Sequence, residues 1–307
     1  MSKNGMGEAL AFAPGHITGF FEICDQPENL LHQGSRGAGI CFNQGIVTQA
    51  SIKPAEQNLI TIYLNRAKLN SASVSYDVAN TFLTKIKKPY NLAIEHKTDI
   101  PIGCGLGSSG AGALSLALAL NKILLRKKTN TAAIQIAHVA EIKNKTGLGT
   151  VVAQSKGGLE IRKKSGGPGF GKIESLAINK NYRVVGIVLE RMSTGRMLIN
   201  QKIRERINEN GEKALKRFLK RPSVNQFMEV SRDFAESIGL ISSRLRKIID
   251  ITDKKGFLCS QAMFGETLFS IVRKSDASKL VEIFHQSAPL PHWIINAEID
   301  NKGARLL

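Results

Sequence analysis

Residues 101–113 read PIGCGLGSSGAGA and run directly into LSLALALNKILL. Glycines at 103, 105, 107, 110 and 112 leave backbone N–H groups uncovered by side chains. The alanine- and leucine-rich run behind them predicts a helix over Ser109–Leu125. The first turn of a helix offers unpaired N–H donors and the positive end of the backbone dipole. Small residues let an anion reach those donors, so this stretch predicts a phosphate-binding loop.

The better-known glycine motifs do not account for it. Gly105, Gly107 and Gly110 satisfy G-x-G-x-x-G, but a dinucleotide fold wants an acidic residue about 20 positions further on. Residues 125–131 read LRKKTNT and hold none. A P-loop needs Gly-Lys-Ser/Thr after four spacers, and here Ala111 follows Gly110. The glycine loop of protein kinases leads to a lysine-bearing strand, whereas a helix follows here. The nucleophile elbow G-x-S-x-G is absent.

What remains is Pro-x-x-x-Gly-Leu-Gly-Ser-Ser, from Pro101 to Ser109. It resembles the ATP-binding motif of the GHMP kinases, the superfamily of galactokinase, homoserine kinase, mevalonate kinase and phosphomevalonate kinase. The resemblance implies ATP contacts from Pro101, Gly103, Gly105, Leu106, Gly107, Ser108, Ser109, Gly110 and Ala111. It also implies an α+β fold with its active site between two domains. Residues 1–165 would form a domain like ribosomal protein S5 domain 2, and residues 166–307 a ferredoxin-like domain.

The periodicity agrees with a mixed α+β chain. Glu8–Ala13, Ala38–Ile52 (broken near Gly45), Leu59–Leu64 and Leu92–Glu95 read as strands. Ser73–Lys87 carries Val74, Val78, Phe82 and Ile86 at four-residue steps, which predicts an amphipathic helix. A further helix is expected over Ala132–Lys145. Glycine and proline in KKSGGPGFG, Lys163–Gly171, mark the domain boundary. Beyond it come a strand (Arg183–Leu189), helices (Gly195–Asn208, Glu212–Leu219, Asn225–Ile238, Ile241–Thr252), a strand (Leu268–Val272), a helix (Ala277–Gln286) and a strand (Trp293–Ala297).

Composition bounds the partners. The net charge of +18 over 307 residues favours anionic ligands. The basic residues are scattered, however, and the densest runs (Lys85-Lys87-Lys88, Arg126-Lys127-Lys128, Arg244-Arg246-Lys247) lack interleaved aromatics. With aromatics at 6%, a stacking platform for nucleic acid is not expected. Four cysteines are widely spaced without a C-x-x-C, which fits free thiols in a reducing cytoplasm. The apolar run Ala111–Leu125 is interrupted by Ser115, Asn121 and Lys122 and reads as too short and polar to span a bilayer. A soluble protein is expected, with a homodimer open.

Phosphoryl transfer needs phosphates held in line, charge neutralisation and a magnesium ion. Ser109, at the helix start, can offer a hydroxyl to Mg2+. The resemblance implies the second ligand: Glu141, in AHVAEIKNKTGLG, matches an acidic residue that reaches the metal. Many superfamily members also carry a catalytic aspartate just after that turn. Thr150 stands in its place, and a threonine hydroxyl is no base near neutral pH. The proton acceptor is then His16, Asp25 or absent.

Two further stretches narrow the substrate. Residues 12–22 read FAPGHITGFFE and residues 33–40 read QGSRGAGI; together they look like the archaeal pantoate kinases of the superfamily. CSQAMFGETLFS, at 259–270, also resembles that group at the third superfamily motif. The expected substrate is therefore pantoate, a small hydroxy acid. Arg36, in a glycine-flanked turn, offers a guanidinium fork for its carboxylate. Gly15, His16, Thr18 and Ser35 surround its hydroxyl groups, and Gly265 lets the chain approach the phosphates. Arg196 is a second anion candidate. Other acids remain open, namely mevalonate, its 3-phosphate or homoserine, as does a nucleotide-binding regulator without catalysis.

Overall fold

Two long antiparallel strands organise the chain, β1 (Gly7–Cys24) and β2 (Gly34–Pro54). The computed structural model describes residues 7–86, 88–125, 129–191, 201–263 and 265–307. Residue Lys87, the basic run at 126–128, Arg196 and the expected helix start at Gly195 lie outside the described residues.

β1 runs well past the expected Ala13. Its continuation, PGHITGFFEIC, stays extended because it is buried nearly throughout and paired with β2. Bulges at Pro14/Gly15 and Thr18/Phe20 absorb the proline and re-aim the side chains. β2 is long enough to serve two partners in succession. Ile46–Pro54 pair with β5 (Tyr90–Thr98), and Gly37–Ile40 pair with β6 (Leu159–Lys164). β3 (Leu59–Leu64) adds in parallel to β5 and carries the short β4 (Ala67–Lys68). β7 (Lys172–Leu176) adds to β6, and β12 (Arg305–Leu306) to the free side of β1.

Against this sheet lie α1 (Ser73–Leu83), α2 (Ser108–Leu120), α3 (Thr131–Asn144) and the short α4 (Thr150–Lys156). Every residue of α2 is buried except Ser109. With the π-helical turn Asn121–Leu125 that follows, this segment is long and apolar enough to cross a membrane, contrary to the expectation from its polar positions. Instead, 78% of it is buried inside the fold. A helix apolar on all sides is what a central core element requires.

The second sheet is antiparallel, in the order β11 (Trp293–Glu298), β8 (Tyr182–Glu190), β10 (Glu266–Arg273), β9 (Ser260–Gln261). Its strands alternate strictly. Val185, Ile187 and Leu268 face α7 (Ser243–Lys254) and α8 (Lys274–Ser287), whereas Val184, Val188 and Phe269 face the first sheet's core. Between the sheets lie α5 (Gln201–Lys220) and α6 (Val224–Ile238). α5 is one helix where two were expected. Gly211 does not break it; a Cβ there would meet the Phe21 carbonyl at 2.1 Å, so the glycine lets α5 press onto β1.

The sheets do not divide where the sequence divides. The boundary expected at residues 165/166 falls within the β6–β7 hairpin, and β7 and β12 both belong to the first sheet. The halves are joined by Phe20 of β1, whose ring meets Phe218 at 5.6 Å and Phe227 at 6.2 Å; Phe227 in turn meets Phe269. Phe20→Ala should therefore cost about 3–5 kcal/mol in urea-induced unfolding. A loss under about 1 kcal/mol would show that the halves are held together elsewhere.

Candidate active site

The glycine loop sits between the end of β5 and α2. Gly103, Gly105 and Gly107 all have φ between 70° and 77°, a left-handed conformation that side chains resist. Gly107 caps α2, and its carbonyl accepts the first helical bond from Ala111 N–H at 3.0 Å. The N–H groups of Ser108, Ser109 and Gly110 are thus left at the helix mouth.

The loop's carbonyls are tied back into the protein. Leu106 O accepts from His16 N at 3.0 Å, Cys104 O from Thr267 Oγ1 at 2.8 Å, and Gly107 O from Gln154 Nε2 at 2.8 Å. Gln154 Nε2 also donates to Pro14 O at 2.8 Å, so one amide joins β1, the loop and α4. Acceptors therefore turn inward and donors outward, the polarity an anion needs. Gly103 N–H alone turns back, at 3.5 Å from Ser108 Oγ.

These residues border a cleft of about 610 Å³. Of the expected ATP contacts, Gly103, Gly105, Gly107, Ser108, Ser109 and Gly110 line it. Pro101, Leu106 and Ala111 do not. Leu106 and Ala111 are core residues, and Ala111 N–H is already bonded. Gly265 lies outside the lining too. It abuts the back of the loop, where a Cβ would stand 2.1 Å from Cys104 O; its neighbour Met263 lines the cleft.

Ser109, the one unburied residue of α2, points its hydroxyl at Glu141 Oε1, 2.5 Å away. Thr146 Oγ1 donates to the same oxygen at 2.6 Å. Glu141 is buried on α3, and desolvation pushes its carboxyl up despite those two donors. A buried carboxylate beside two hydroxyl oxygens at a phosphate loop is a hard-oxygen donor set, and it fits a magnesium ion. Among the described residues no three His, Cys, Asp or Glu converge on one point, so phosphate oxygens and water would complete the coordination.

Beside the loop, β6 does what the sequence did not reveal. Glu160 and Arg162, two positions apart, share one face of the strand, while Leu159 and Ile161 enter the core. Glu160 Oε1 receives the Arg162 guanidinium and meets His16 Nε2 at 3.1 Å. All three are buried. The ring of His16 packs against Gly39 of β2, where a Cβ would be 2.3 Å from Nε2. Burial lowers the pKa of His16, with Glu160 opposing, so the ring is neutral at pH 7. Arg162 lines the cleft with Thr18, Ser35 and His16, and among the described residues its Nε has no partner.

Two expected site residues stand elsewhere. Arg36 is tied to Glu22, with Nε 2.7 Å from Oε2, and Asp25 takes two hydrogen bonds from Arg204. Neither lines the cleft. The Nε–Nη2 edge of Arg36 is taken up by Glu22, whereas Arg162 gives only Nη1 to Glu160, and both carboxylate oxygens of Asp25 are engaged by Arg204. Gly15 also stays outside; it packs against Phe42 at the bulge. Thr150 does line the cleft, at the first turn of α4, with its methyl toward Gly107 and Gly110. Signals for Arg162 were present in LEIRKK, an alternation of apolar and charged residues. The same pattern marks any half-solvated strand, and only burial distinguishes it.

Comparison with known proteins bears on this site. Residues 73–158, which hold the loop, α2, α3 and α4, match the family model of the GHMP kinases N terminal domain. The chain is 35% identical over 275 residues to a pantoate kinase of Methanocaldococcus jannaschii, covering 89% of this chain and 96% of the relative. It is 36% identical over 277 residues to a pantoate kinase of Thermococcus kodakarensis, covering 89% and 90%. A solved structure described as a phosphotransferase related to the CoA biosynthesis pathway superposes with a TM-score of 0.89, at 33% identity, covering 98% and 99% of the two chains.

Glu141 yields a paired prediction. A carboxyl whose pKa is raised on folding supports stability below its usual value of 4.5 and loses that support as pH rises through the folded value. Glu141→Gln keeps both hydroxyl bonds and removes the buried charge. The metal-free variant should melt higher than wild type at neutral pH, with the gap closing below pH 4.5. Its turnover should fall by about 10- to 100-fold. Melting curves that coincide at every pH would remove Glu141 from this role.

Proposed function

The chain belongs to the pantoate kinase family of the GHMP kinases, and from that premise we propose that it transfers the γ-phosphoryl group of ATP to the primary hydroxyl of pantoate, for coenzyme A synthesis in an archaeon. The observation that carries the reading is that Arg162, whose buried Nε has no partner among the described residues, lines the same cleft as the first-turn residues of the glycine loop. An unmet buried donor on a guanidinium is costly unless a ligand completes it. A carboxylate completes it, and an α-hydroxy acid adds hydroxyl groups for Thr18 and Ser35.

In this arrangement the N–H groups of 108–110 hold the transferring phosphates and stabilise the charge that develops on their oxygens. Ser109 and Glu141 would hold Mg2+, which when bound neutralises phosphate charge. Arg162 fixes the acid by its carboxylate, leaving the primary hydroxyl to face the loop. Orientation of this kind supplies much of the rate in phosphoryl transfer, since the loose transition state releases the alcohol proton late. That tolerates a threonine at position 150. We assign the departing proton to His16, whose ring is kept neutral by burial and whose tautomer is set by Glu160. The activity should then fall on the acid side, as the ring charges at a pH below 6.5.

ADP release with pantoate, mevalonate and homoserine tests the substrate. Pantoate should turn over, and faster release with either of the others would replace it. Arg162→Ala should raise the Michaelis constant for pantoate by about 10- to 100-fold, the worth of a charged hydrogen bond, with that for ATP nearly unchanged. Arg36→Ala should have a far smaller effect. The reverse ranking would return the carboxylate to Arg36.

A further inference from the structure

A buried chain of side chains leads from the cleft to the first turns of α2. Ser75 on α1 and His96 on β5 both line the cleft, and behind them lie Thr48 on β2 and Ser115 on α2. Ser75 Oγ is 3.0 Å from His96 Nε2; His96 Nδ1 is 2.7 Å from Thr48 Oγ1; Thr48 Oγ1 is 2.6 Å from Ser115 Oγ. Ser115 Oγ ends the chain 2.7 Å from the carbonyl of Ala111.

The direction of every proton follows from that last contact. A carbonyl has no hydrogen, so Ser115 donates to Ala111 O. Ser115 has only one hydroxyl hydrogen, so at 2.6 Å it accepts from Thr48. The Thr48 hydrogen being used, Thr48 accepts from Nδ1–H of His96. The neutral ring then has a lone pair on Nε2, which accepts from Ser75. Burial lowers the pKa of His96 to about 4, so the ring stays neutral through the working range.

We propose that this relay makes Ser75 an acceptor-only group in the cleft and so a specificity residue for the nucleoside of the phosphoryl donor. Its single hydroxyl hydrogen is turned away, onto His96, and only oxygen lone pairs remain for a ligand. The cleft is also lined by Leu64, Leu69, Ala72 and Ile102, with the hydroxyl residues Ser71 and Ser73 flanking Ala72. A donor on the nucleoside satisfies Ser75; an acceptor in the same place meets lone pairs. The donor is the exocyclic amine of adenine or a ribose hydroxyl. His96 and Thr48 act through Ser75 as positioning residues. The proposal rests on the reading of the cleft as a nucleotide site, and goes beyond it by giving the site a hydrogen-bond sign.

The test compares kcat/KM for ATP, inosine triphosphate, 2′-deoxy-ATP and 3′-deoxy-ATP in wild type, Ser75→Ala and Thr48→Val. Thr48 is buried and does not line the cleft. Ser75→Ala should lower kcat/KM for ATP by about three- to tenfold, one hydrogen bond's worth. The analogue lacking the donor that is read should be unaffected: the inosine nucleotide if it is the amine, a deoxy nucleotide if it is a hydroxyl. Thr48→Val should relax the same ratio. Nitrogen-15 NMR of the His96 ring should show the Nδ1–H tautomer. An Nε2–H tautomer, equal effects of Ser75→Ala on all four nucleotides, or an unchanged ratio in Thr48→Val would overturn the proposal. If the wild type failed to turn over pantoate, the kinase reading would fail separately, and calorimetric affinities for the same nucleotides would still decide the sign of Ser75.

Discussion

One amide holds the catalytic geometry together. Gln154 donates to Pro14 and to Gly107, and through them fixes β1 and the glycine loop to α4. A loop of left-handed glycines has little conformational preference of its own, and ordering it costs entropy. The cost is offset by carbonyls bonded to His16 N, Thr267 and Gln154, which come from three separate parts of the chain. Because these contacts use the acceptors, the donors face the cleft before any ligand arrives. A preorganised site of this kind needs no reorganisation when charge develops on the transferring phosphate.

The buried cluster beside the loop works by the opposite logic. His16, Glu160 and Arg162 are buried charges and dipoles, and burying them carries a desolvation penalty that neighbouring groups only partly return. Among the described residues, Arg162 Nε and Glu160 Oε2 are buried without a hydrogen-bond partner. Such a cluster is a poor device for stability and a good one for binding an anion, since a carboxylate arriving there gains in a medium already stripped of water. The positive net charge of the chain adds long-range attraction for both anionic substrates.

No described strand residue of the second sheet lines the cleft, and among the described residues only Met263, just after β9, reaches it from that half, yet the site depends on this sheet. Met263 O and Gly265 N lie against Gly105, and Thr267 Oγ1 donates to Cys104 O. The aromatic contacts Phe20–Phe227–Phe269 tie β10 to β1. This is why CSQAMFGETLFS reads as a motif although Gly265 itself does not reach the cleft. Its glycine serves the approach of one backbone to another.

The sequence by itself determined the glycine loop, the helix behind it and the α+β alternation, which are local: a run of small residues and the helical and strand periods carry them. Glu141 was legible only through the family resemblance, and its contact with Ser109, 32 positions away, is made by the packing of α3 on α2. The sequence did not determine Arg162. LEIRKK acquires its meaning only when β2, having released β5 at Ile46, takes up β6 at Ile40 and brings Glu160 and Arg162 beneath His16. Nor did it determine that Arg36 is closed on Glu22, because the two are paired across β1 and β2 by register. Long-range strand pairing decides which charges are buried and which face water, and that choice of neighbours is a property of the folded chain alone.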